Sequence, residues 1–484
     1  MGIYFQMIRF ELLQLSRNSG YKGLILILLI LMGMASWNTH HQLITKAEQV
    51  RTQLEIVESN DQRLMAEIDS LNHGLATYET SYTLPTSGVR LTYNNHRVAH
   101  LPFKPLSIIA IGQGDLYANY KKIILYFNQS YEMSSEELIS PIEQLFGQLD
   151  LAFVWTYLLP LIIVLLSFNI FSLERESGRL PLIASHPVKV THWLLTKMSL
   201  RFAVIFGLTI LFTFILLLIF KVDLAQNWEQ FAQLVVFLLL YSAFWFILSF
   251  MVNLMGSSSG KSLILLTSIW AFLVFLVPSA INQLGRELNQ VPSRLEIVNH
   301  HQSVYNEVEN NLEGEMENLF RHHPNWRSDD PVTKDLSNPT GWNINYLAKQ
   351  YLAQMKHQLV AERYENQVDA SNEWFSQFRL LSPAMILQEA LTEMAGTSAH
   401  YYRGFLRQVQ EYARQYRLYV FQGLFTNHSF SSEEILHMKQ FQFDPDRIPG
   451  TYTTNLIGLL IYVTVLIMIC LIIIHFTIKQ SVKV

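Results

Sequence analysis

Six long apolar stretches constrain this chain more than any other feature. Each lacks Asp, Glu, Lys and Arg, and a helix needs about 20 apolar residues to cross a bilayer. The stretches are Leu24–Trp37, Leu151–Phe171, Phe202–Phe220, Phe231–Met255, Leu263–Ile281 and Leu456–Phe476. Charged residues make up 15% of the chain, against roughly 25% in a soluble protein. The sequence therefore predicts a membrane protein with six transmembrane helices, and it excludes a wholly soluble enzyme or a disordered chain.

The first stretch is short, but no charged residue follows it until Lys46. It lacks the small-residue cleavage pattern of a signal peptide, so we interpret it as a retained span. Met7 is an alternative start to Met1, because the first six residues look dispensable.

The distribution of positive charge predicts the orientation. If the N-terminus is cytoplasmic, the inner segments together hold eleven Lys and Arg but three Asp and Glu. These segments are Met1–Lys22, Ser172–Arg201, Gly256–Lys261 and Lys479–Val484. Since positive residues concentrate in inner loops, we expect both termini to be cytoplasmic.

This topology predicts a membrane all-α fold with two large outer domains. The expected divisions are an interface helix at 1–22, transmembrane helix 1 at 23–45, outer domain 1 at 46–149, transmembrane helices 2–5 at 150–285 with an inner loop at 172–201, outer domain 2 at 286–450, and transmembrane helix 6 with a tail at 451–484. No inner segment is large enough to bind a nucleotide alone.

Outer domain 1 is predicted to be α+β. It begins with a heptad-like series at positions 43, 47, 50, 54, 57, 61, 64, 68 and 71, broken by Asp61. Such a seam packs against a partner chain or against its own domain, and we favour its own domain because four heptads are few for an independent coiled coil. Three β-like stretches follow, at Val89–Tyr93, Ser107–Ile111 and Lys122–Phe127.

Outer domain 2 is predicted to be mainly helical. Periodic patterns indicate helices over Leu295–Phe320, Ile344–Phe378, Pro383–Glu393 and Tyr402–Tyr419. Ser382 is the expected N-cap of the third helix, because Pro383 suits a first helical turn.

Motifs for catalysis or metal binding are incomplete. In Gly256–Ser262 three residues separate the two glycines, whereas a phosphate-binding loop needs four, so we interpret this segment as an inner turn. Adjacent histidines occur at His40-His41, His300-His301 and His322-His323. Neighbouring side chains diverge, which favours polar surface over metal ligation; a shared outer metal site is the alternative.

Two further properties narrow the function. Cys470 is the one cysteine, which excludes an internal disulfide and a thiolate metal cluster. The net charge is −4, so nothing indicates a nucleic-acid partner.

Charges alternate where the chain leaves the second span, in Leu173-Glu-Arg-Glu-Ser-Gly-Arg-Leu180. Gly178 and Pro187 bracket a short apolar piece, Leu180–Ala184. Charged flanks and an apolar tip suit a helix that docks in the cleft of a cytoplasmic partner. A solvated loop that merely follows the positive-inside rule is the alternative.

This stretch resembles the Glu-Arg-Glu-x-Gly element of type-2 ATP-binding cassette (ABC) transporter permeases, which follows the second of six spans. The amphipathic segment Phe5–Arg17 and the six-span layout are similar too. Outside the membrane, Pro105–Tyr120, Glu143–Phe153 and Leu381–Gly396 resemble a bacterial subgroup with two large periplasmic insertions. Relatives of that subgroup include permeases of the copper-maturation and gliding-motility kind.

The resemblance implies a permease half that associates with a second copy or a sister permease. It also implies a separate ATPase subunit, which holds ATP and Mg. The implied ATPase-coupling residues are Glu174, Arg175, Glu176, Gly178, His186, Pro187 and Lys189. Arg179 stands where the family usually has Thr.

The resemblance also implies that the spans near the dimer axis form a translocation path. Candidate polar positions on that path are Tyr157, Asn169, Asn253 and Asn282. Hydrogen bonding between helices is the alternative role for such residues.

We therefore expect the permease subunit of an exporter in a bacterial inner membrane, with no catalytic residue, cofactor or metal of its own. Its outer domains would form a vestibule or a platform for a periplasmic protein, and lipid would surround its spans. One competing hypothesis is an ATP-driven mechanical scaffold that acts on periplasmic partners without translocation. Another is a membrane-anchored periplasmic hydrolase.

Overall fold

A computed structural model describes residues 3–80, 83–112, 119–124, 149–185, 190–255, 258–288, 294–326, 339–426, 428–438 and 440–481. The described residues are 80% helical and include a small two-stranded sheet. Six helices among these residues are long and apolar enough to cross a membrane: Ser19–Asn72, Leu151–Glu176, Val190–Ile219, Trp228–Leu254, Ser259–Gly285 and Tyr452–His475. A multi-pass, mainly α-helical membrane protein is therefore confirmed.

The first span is the N-terminal part of a much longer helix. We call the side of the bundle that carries the N-terminus the inner end and the opposite side the outer end. After α1 (Ile3–Arg17), the side chain of Asn18 accepts hydrogen bonds from the first N–H groups of α2 (Ser19–Asn72). The 54 residues of α2 form a rod of about 80 Å, whereas the bilayer core is about 30 Å thick. α2 therefore carries the first span into the outer region without a break.

The outer part of α2 packs along the predicted seam within its own chain. Leu64 and Ile68 are buried in a core cluster with Phe405 of the second outer region. Asp61, the polar break in the seam, pairs with Arg97 at 2.6 Å. The two outer regions consequently share a core.

The sheet of the first outer region consists of β1 (Arg97–His100) and β2 (Tyr120–Ile123), which are antiparallel with Arg97 opposite Ile123. The predicted strand Lys122–Phe127 overlaps the end of β2, and its residues 125–127 lie outside the described residues.

The other two predicted strands are wrong. Val89–Tyr93 belongs to helix α3 (Gly88–Asn94), because the side chain of Ser87 caps its first turn. Ser107–Ile111 begins with a 3₁₀ turn over Ser107–Ile109. Ile108 and Ile109 pack in the membrane bundle's core cluster rather than against a neighbouring strand.

The remaining spans form a helix bundle around the fourth span. The second span comprises α4 (Leu151–Phe153), a π-helical segment (Val154–Leu158), α5 (Leu159–Ser167) and α6 (Ser172–Glu176), followed by α7 (Leu180–Ala184). The others are α8 (Val190–Ile219), α9 (Trp228–Leu254), α10 (Ser259–Ala271) with a second π segment (Phe272–Leu276) and α11 (Val277–Leu288), and α18 (Tyr452–Ser481). Trp155, Tyr241 and Trp245 are fully buried at the centre.

Both π segments end two residues before a proline, Pro160 in the second span and Pro278 in the fifth. Proline has no N–H, so carbonyl groups in the preceding turn lose their usual partner. The hydroxyl of Tyr241 donates to the Thr156 carbonyl at 2.7 Å. The hydroxyl of Ser382 donates to the Leu273 carbonyl at 2.6 Å. Side chains from other elements therefore satisfy carbonyls that proline leaves without a donor.

The second outer region is helical, as predicted. Its helices are α12 (Arg294–Asn310), α13 (Leu312–His322), α14 (Pro339–Phe378), α15 (Pro383–Ala395), α16 (Ala399–Phe425) and α17 (Ser432–Leu436). The predicted helix Leu295–Phe320 is divided at Asn311 into α12 and α13. Ser382 caps α15 as predicted, since its side chain accepts from the N–H groups of Ala384 and Met385.

The position of α15 was not anticipated. The predicted boundaries include it in outer domain 2, but Ile386, Leu387 and Leu391 lie in the same core cluster as Trp155 and Trp245. α15 therefore packs inside the membrane bundle.

Candidate functional site

Four charged side chains meet at the inner end of the bundle. Glu11 comes from α1, Glu174 from α6, and Lys197 and Arg201 from α8. Arg201 Nη2 lies 2.8 Å from Glu11 Oε1, and Lys197 Nζ lies 3.3 Å from Glu11 Oε2 and 3.1 Å from Glu174 Oε1. We call these four residues the inner cluster.

Local helix geometry explains how α8 contributes two cations. Lys197 and Arg201 are four residues apart, so they lie on the same helix face. Aromatic rings flank both: Lys197 Nζ lies 4.7 Å from the centre of the Trp193 ring, and the Arg201 guanidinium lies 4.8 Å from that of Tyr21. Arg201 also donates to the Tyr21 hydroxyl at 2.8 Å.

The inner cluster is almost closed to solvent. The side chains of Glu11 and Arg201 are 2% and 3% exposed, and those of Lys197 and Glu174 are 10% and 11% exposed. Two carboxylates face two buried cations, and the exposed Arg179 adds a third, with its Nη1 3.7 Å from Glu174 Oε2. A buried charge that loses its partner is strongly destabilising, and the cluster therefore joins α1, α6 and α8 firmly.

The second glutamate of the predicted Glu-Arg-Glu element contacts a different span. Glu176 accepts hydrogen bonds from the N–H and the hydroxyl of Ser259, both at 2.8 Å. Ser259 is the first residue of α10, where a carboxylate also interacts favourably with the helix dipole. The hydroxyl of Ser172 at the start of α6 lies 2.9 Å from the Ser259 hydroxyl. α6 is thus bonded both to the third span and to the fifth.

The turn after α6 faces solvent. Gly178 has φ +72°, and no atom lies within 4 Å of the place that a Cβ would occupy, so glycine is favoured there by the left-handed backbone and not by crowding. Arg175 and Arg179 are exposed, as is Pro181 in the first turn of α7. His186, Pro187 and Lys189 lie outside the described residues.

The side chain of Asn253, a predicted path residue, forms three hydrogen bonds with backbone groups of other residues at the inner end of the bundle. Its Nδ2 donates to the carbonyls of Ser167 at 2.9 Å and Ser249 at 2.8 Å. Its Oδ1 accepts from the N–H of Phe171 at 3.1 Å. These contacts favour the alternative of hydrogen bonding between helices, since Asn253 attaches α9 to the inner end of the second span.

Tyr157 belongs to the first π segment and contacts the second. Its ring stacks on Phe275 with centroids 5.7 Å apart, and its carbonyl accepts from the indole N–H of Trp270 at 3.1 Å. Asn169 is half-buried near the inner end of the second span, and Asn282 is exposed on α11. The four predicted path residues are therefore spread along the spans and do not form one cluster.

Sequence reasoning missed three members of the inner cluster. In the sequence, Lys197 and Arg201 count as positive-inside residues, and Glu11 is part of an amphipathic pattern. The available signal was their chemistry: an acidic residue within an interfacial helix, and two cations at helical spacing near the inner end of a span. Intramembrane ionisable residues usually pair with one another.

The histidine pairs do not come together as a metal site in the described part of the chain, where no group of three or more His, Cys, Asp or Glu side chains has metal-binding geometry. His40 packs on Phe220 with ring centroids 4.6 Å apart, and His323 stacks on Trp326 at 4.2 Å. His322 Nδ1 lies 2.9 Å from the Asn318 carbonyl.

Comparison with known proteins gives one match. Residues 294–444 match a family described as a domain of unknown function, DUF3526. No curated protein and no solved structure matches the chain. The matched range lies within the second outer region and includes α15.

Proposed function

We propose that this chain is the membrane-spanning permease subunit of a bacterial ABC exporter, with both termini in the cytoplasm. It would associate with a second copy or a sister permease and couple ATP hydrolysis in a separate subunit to export of a substrate. One observation carries the proposal: α6, which contains the Glu-Arg-Glu element, is bonded through Glu174 to the third span and through Glu176 to the fifth.

These contacts suit the transmission of force. A partner that presses on the exposed turn around Gly178 and on α7 would move α6 as a unit. The Glu174–Lys197 pair would pass that movement to α8, and the pairs of Glu11 would pass it to α1. The Glu176–Ser259 bonds would pass it to α10. ATP and Mg belong to the partner subunit, so the residues of this chain transmit motion and take no part in hydrolysis.

The test is purification of the chain from native membranes in mild detergent, followed by mass spectrometry and an ATPase assay. We expect a stoichiometric ATPase subunit. Glu174→Gln together with Glu176→Gln should lower the ATPase activity of the complex at least about tenfold, because two of the links from α6 to the spans are weakened. Glu229→Gln, an exposed carboxylate on α9 away from α6, is the matched control. Recovery of the chain without an ATPase in every detergent would reject the proposal.

A second candidate, a mechanical scaffold that acts on outer partners, is favoured by the helices that leave the membrane. α2 continues unbroken far beyond the first span, and α11 extends the fifth span towards α14, with Gly285 against Trp374. Such rods would carry a tilt of the spans into the outer regions.

A bulky substitution at Tyr157 separates the two functions. If translocation is the function, Tyr157→Trp should abolish complementation of a strain that lacks the gene, while the ATPase subunit still co-purifies. Full complementation by Tyr157→Trp would favour the mechanical scaffold. Phe153→Trp, a matched change of the neighbouring ring, is the control for packing.

A further inference from the structure

The contacts of α15 with the sixth span show how deep in the membrane bundle α15 lies. Glu393 near its end accepts from the N–H of Thr451 at 2.6 Å, directly before α18 begins. At the other end, the Leu380 carbonyl accepts from the Tyr462 hydroxyl at 2.8 Å. Tyr462 is ten residues into α18, which places the Leu380 carbonyl about 15 Å below the outer end of that helix.

Contacts with the fifth span give the same depth independently. Ser382 donates to the carbonyl of Leu273, which precedes Ile281, the end of the apolar stretch, by eight residues. That separation corresponds to about 12 Å along the helix. Because the hydrocarbon core is about 30 Å thick, the turn at residues 379–382 reaches about the middle of the membrane.

Residues 379–395 therefore form a re-entrant segment: the chain enters the bundle from the outer side, turns at residues 379–382 and leaves on the same side. Nine of the thirteen residues of α15 are buried. They pack against α9, α18 and both π segments. In the turn, Arg379 and Ser382 are buried by protein, as irregular backbone at this depth requires, whereas the apolar side chains of Leu380 and Leu381 are 42% and 55% exposed. The buried face of α15 thus occupies the outer half of the bundle.

Two of the three charges of the re-entrant segment compensate each other, and the third, Glu393, is bonded to Thr451 at the outer end of α18. Arg379 Nη1 lies 3.1 Å from Glu389 Oε1, and both residues belong to the segment. Movement of the segment would therefore not separate this buried ion pair, which would be costly. Its polar links to the spans near the tip are the hydrogen bonds of Ser382 and Tyr462, both to neutral carbonyls. Such bonds contribute modestly to stability.

The outer end of the segment leads into a turn that requires glycine. Gly396 has φ +75°, and a Cβ there would lie 2.9 Å from Lys104 Cγ. α16 follows directly, in the core of the outer regions. The re-entrant segment is consequently attached at both ends to the second outer region, through α14 and α16.

We propose that residues 379–395 are a removable plug that closes the outer half of the membrane domain and is held there by the Ser382 and Tyr462 hydrogen bonds. Movement of the second outer region withdraws the plug and uncovers the two π segments, against which it packs. The role of ATP in this movement depends on the function proposed above, whereas the closure itself does not.

Accessibility of a buried plug residue tests the proposal. Cys470 is replaced by alanine, and single cysteines are introduced by Ala384→Cys in the plug, Leu288→Cys as an exposed control and Thr213→Cys as a buried control in α8. These positions are 2% exposed, 63% exposed and fully buried, respectively. The purified chain in lipid nanodiscs is labelled with a sulfonated maleimide, which does not enter the hydrocarbon core.

With the hydrogen bonds intact, Ala384→Cys should react at least about tenfold more slowly than Leu288→Cys. Ser382→Ala with Tyr462→Phe removes both hydrogen bonds without adding bulk. This pair should accelerate labelling of Ala384→Cys at least about tenfold, which corresponds to about 1.4 kcal/mol in the opening equilibrium. Thr213→Cys should stay unreactive.

Three results would overturn the plug: fast labelling of Ala384→Cys with the hydrogen bonds intact, no acceleration in the double variant, or equal acceleration of Thr213→Cys, which would indicate general loosening. A second arm adds the partner ATPase and ATP. There, ATP should accelerate labelling of Ala384→Cys, and Glu174→Gln should remove that effect. Failure of this arm alone would reject ATP coupling and leave the plug supported by the first arm.

Discussion

The two ends of the membrane bundle are joined by different kinds of polar contact. At the inner end, the cluster of Glu11, Glu174, Lys197 and Arg201 links three helices through buried ion pairs. At the outer end, Ser382 and Tyr462 link the plug to the spans through hydrogen bonds to carbonyls.

The two junctions differ in the free energy that is needed to separate their parts. Pulling the inner helices apart would leave charges unpaired in a low-dielectric environment, which is strongly unfavourable. Pulling the plug out would separate no ion pair, since the Arg379–Glu389 pair moves with it. It would break the two hydrogen bonds near the tip, each worth about 1 kcal/mol, and the Glu393–Thr451 bonds, and it would uncover nine buried residues of α15. The inner junction is therefore suited to transmit force, and the outer junction is suited to open.

Removal of Arg201 should give the largest effect. Arg201→Met leaves Glu11 with Lys197 as its remaining cation, and the expected loss of stability is about 3–5 kcal/mol. Thermal unfolding of the purified chain in detergent measures this loss. The exposed Arg175→Met is the control and should stay within about 0.5 kcal/mol.

If Arg201→Met itself prevents folding, the pair Glu11→Gln with Arg201→Gln tests the same contact. Removing both charges should be milder than removing Arg201 alone. A double variant that is as unstable as the sum of its single variants would show that the ion pair does not stabilise the inner junction.

Loss of the Ser382 hydroxyl should give a smaller effect, about 1–2 kcal/mol, because Ser382→Ala removes the cap of α15 and the donor to Leu273. The same substitution should cost less when Pro278→Ala is present, since residue 278 then supplies an N–H for a carbonyl in the preceding turn. Thermal unfolding of four proteins checks this coupling: the unchanged chain, Ser382→Ala, Pro278→Ala and the double variant. Strict additivity would contradict the role assigned to the proline.

Acidification should weaken the outer regions through two partly buried histidines. Burial lowers the pKa of His96 below 6.5, with help from Lys122 and Arg97, and burial also lowers the pKa of His100. The unfolded state therefore binds more protons below pH 6.5, and stability is lost as the pH falls from 6.5 towards the folded values. The slope is at most about 1.4 kcal/mol per pH unit for each histidine.

Limited proteolysis of the outer regions between pH 7.5 and 5.5 measures this dependence. His96→Gln with His100→Gln should flatten the profile. An unchanged profile in that variant would assign the pH dependence to other groups.

An exposed ion pair should give the smallest effect. Arg51 and Glu55 lie 3.3 Å apart on the outer part of α2, with side chains 71% and 65% exposed. Water screens such a pair, so Glu55→Gln should change stability by less than about 0.5 kcal/mol. A loss comparable to that of Arg201→Met would mean that burial does not decide the strength of ion pairs in this protein.

Features that depend on neighbouring residues in the chain could be predicted from the sequence. The six spans follow from uninterrupted apolar stretches, and the cap at Ser382 follows from its position before Pro383. The element around Glu174 was found because its charges are consecutive. The strand predicted at Val89–Tyr93 failed because Ser87 caps a helix there, which a short apolar run does not distinguish from a strand.

Features that depend on distant parts of the chain could not be predicted. Glu11 and Arg201 are 190 residues apart, and the charge pattern of neither segment names its partner. α15 has thirteen residues, too few to cross a bilayer, so its apolar sequence indicates a helix of a soluble core as readily as a plug.

The sequence by itself determined that this chain crosses the membrane, where it does so and which short element carries alternating charge, because hydrophobicity and charge act locally. Tertiary structure alone decided that Glu174 is paired in the inner cluster and that residues 379–395 lie inside the bundle. The physical reason is that apolar periodicity specifies which side of a helix is buried, whereas packing selects the surface that buries it.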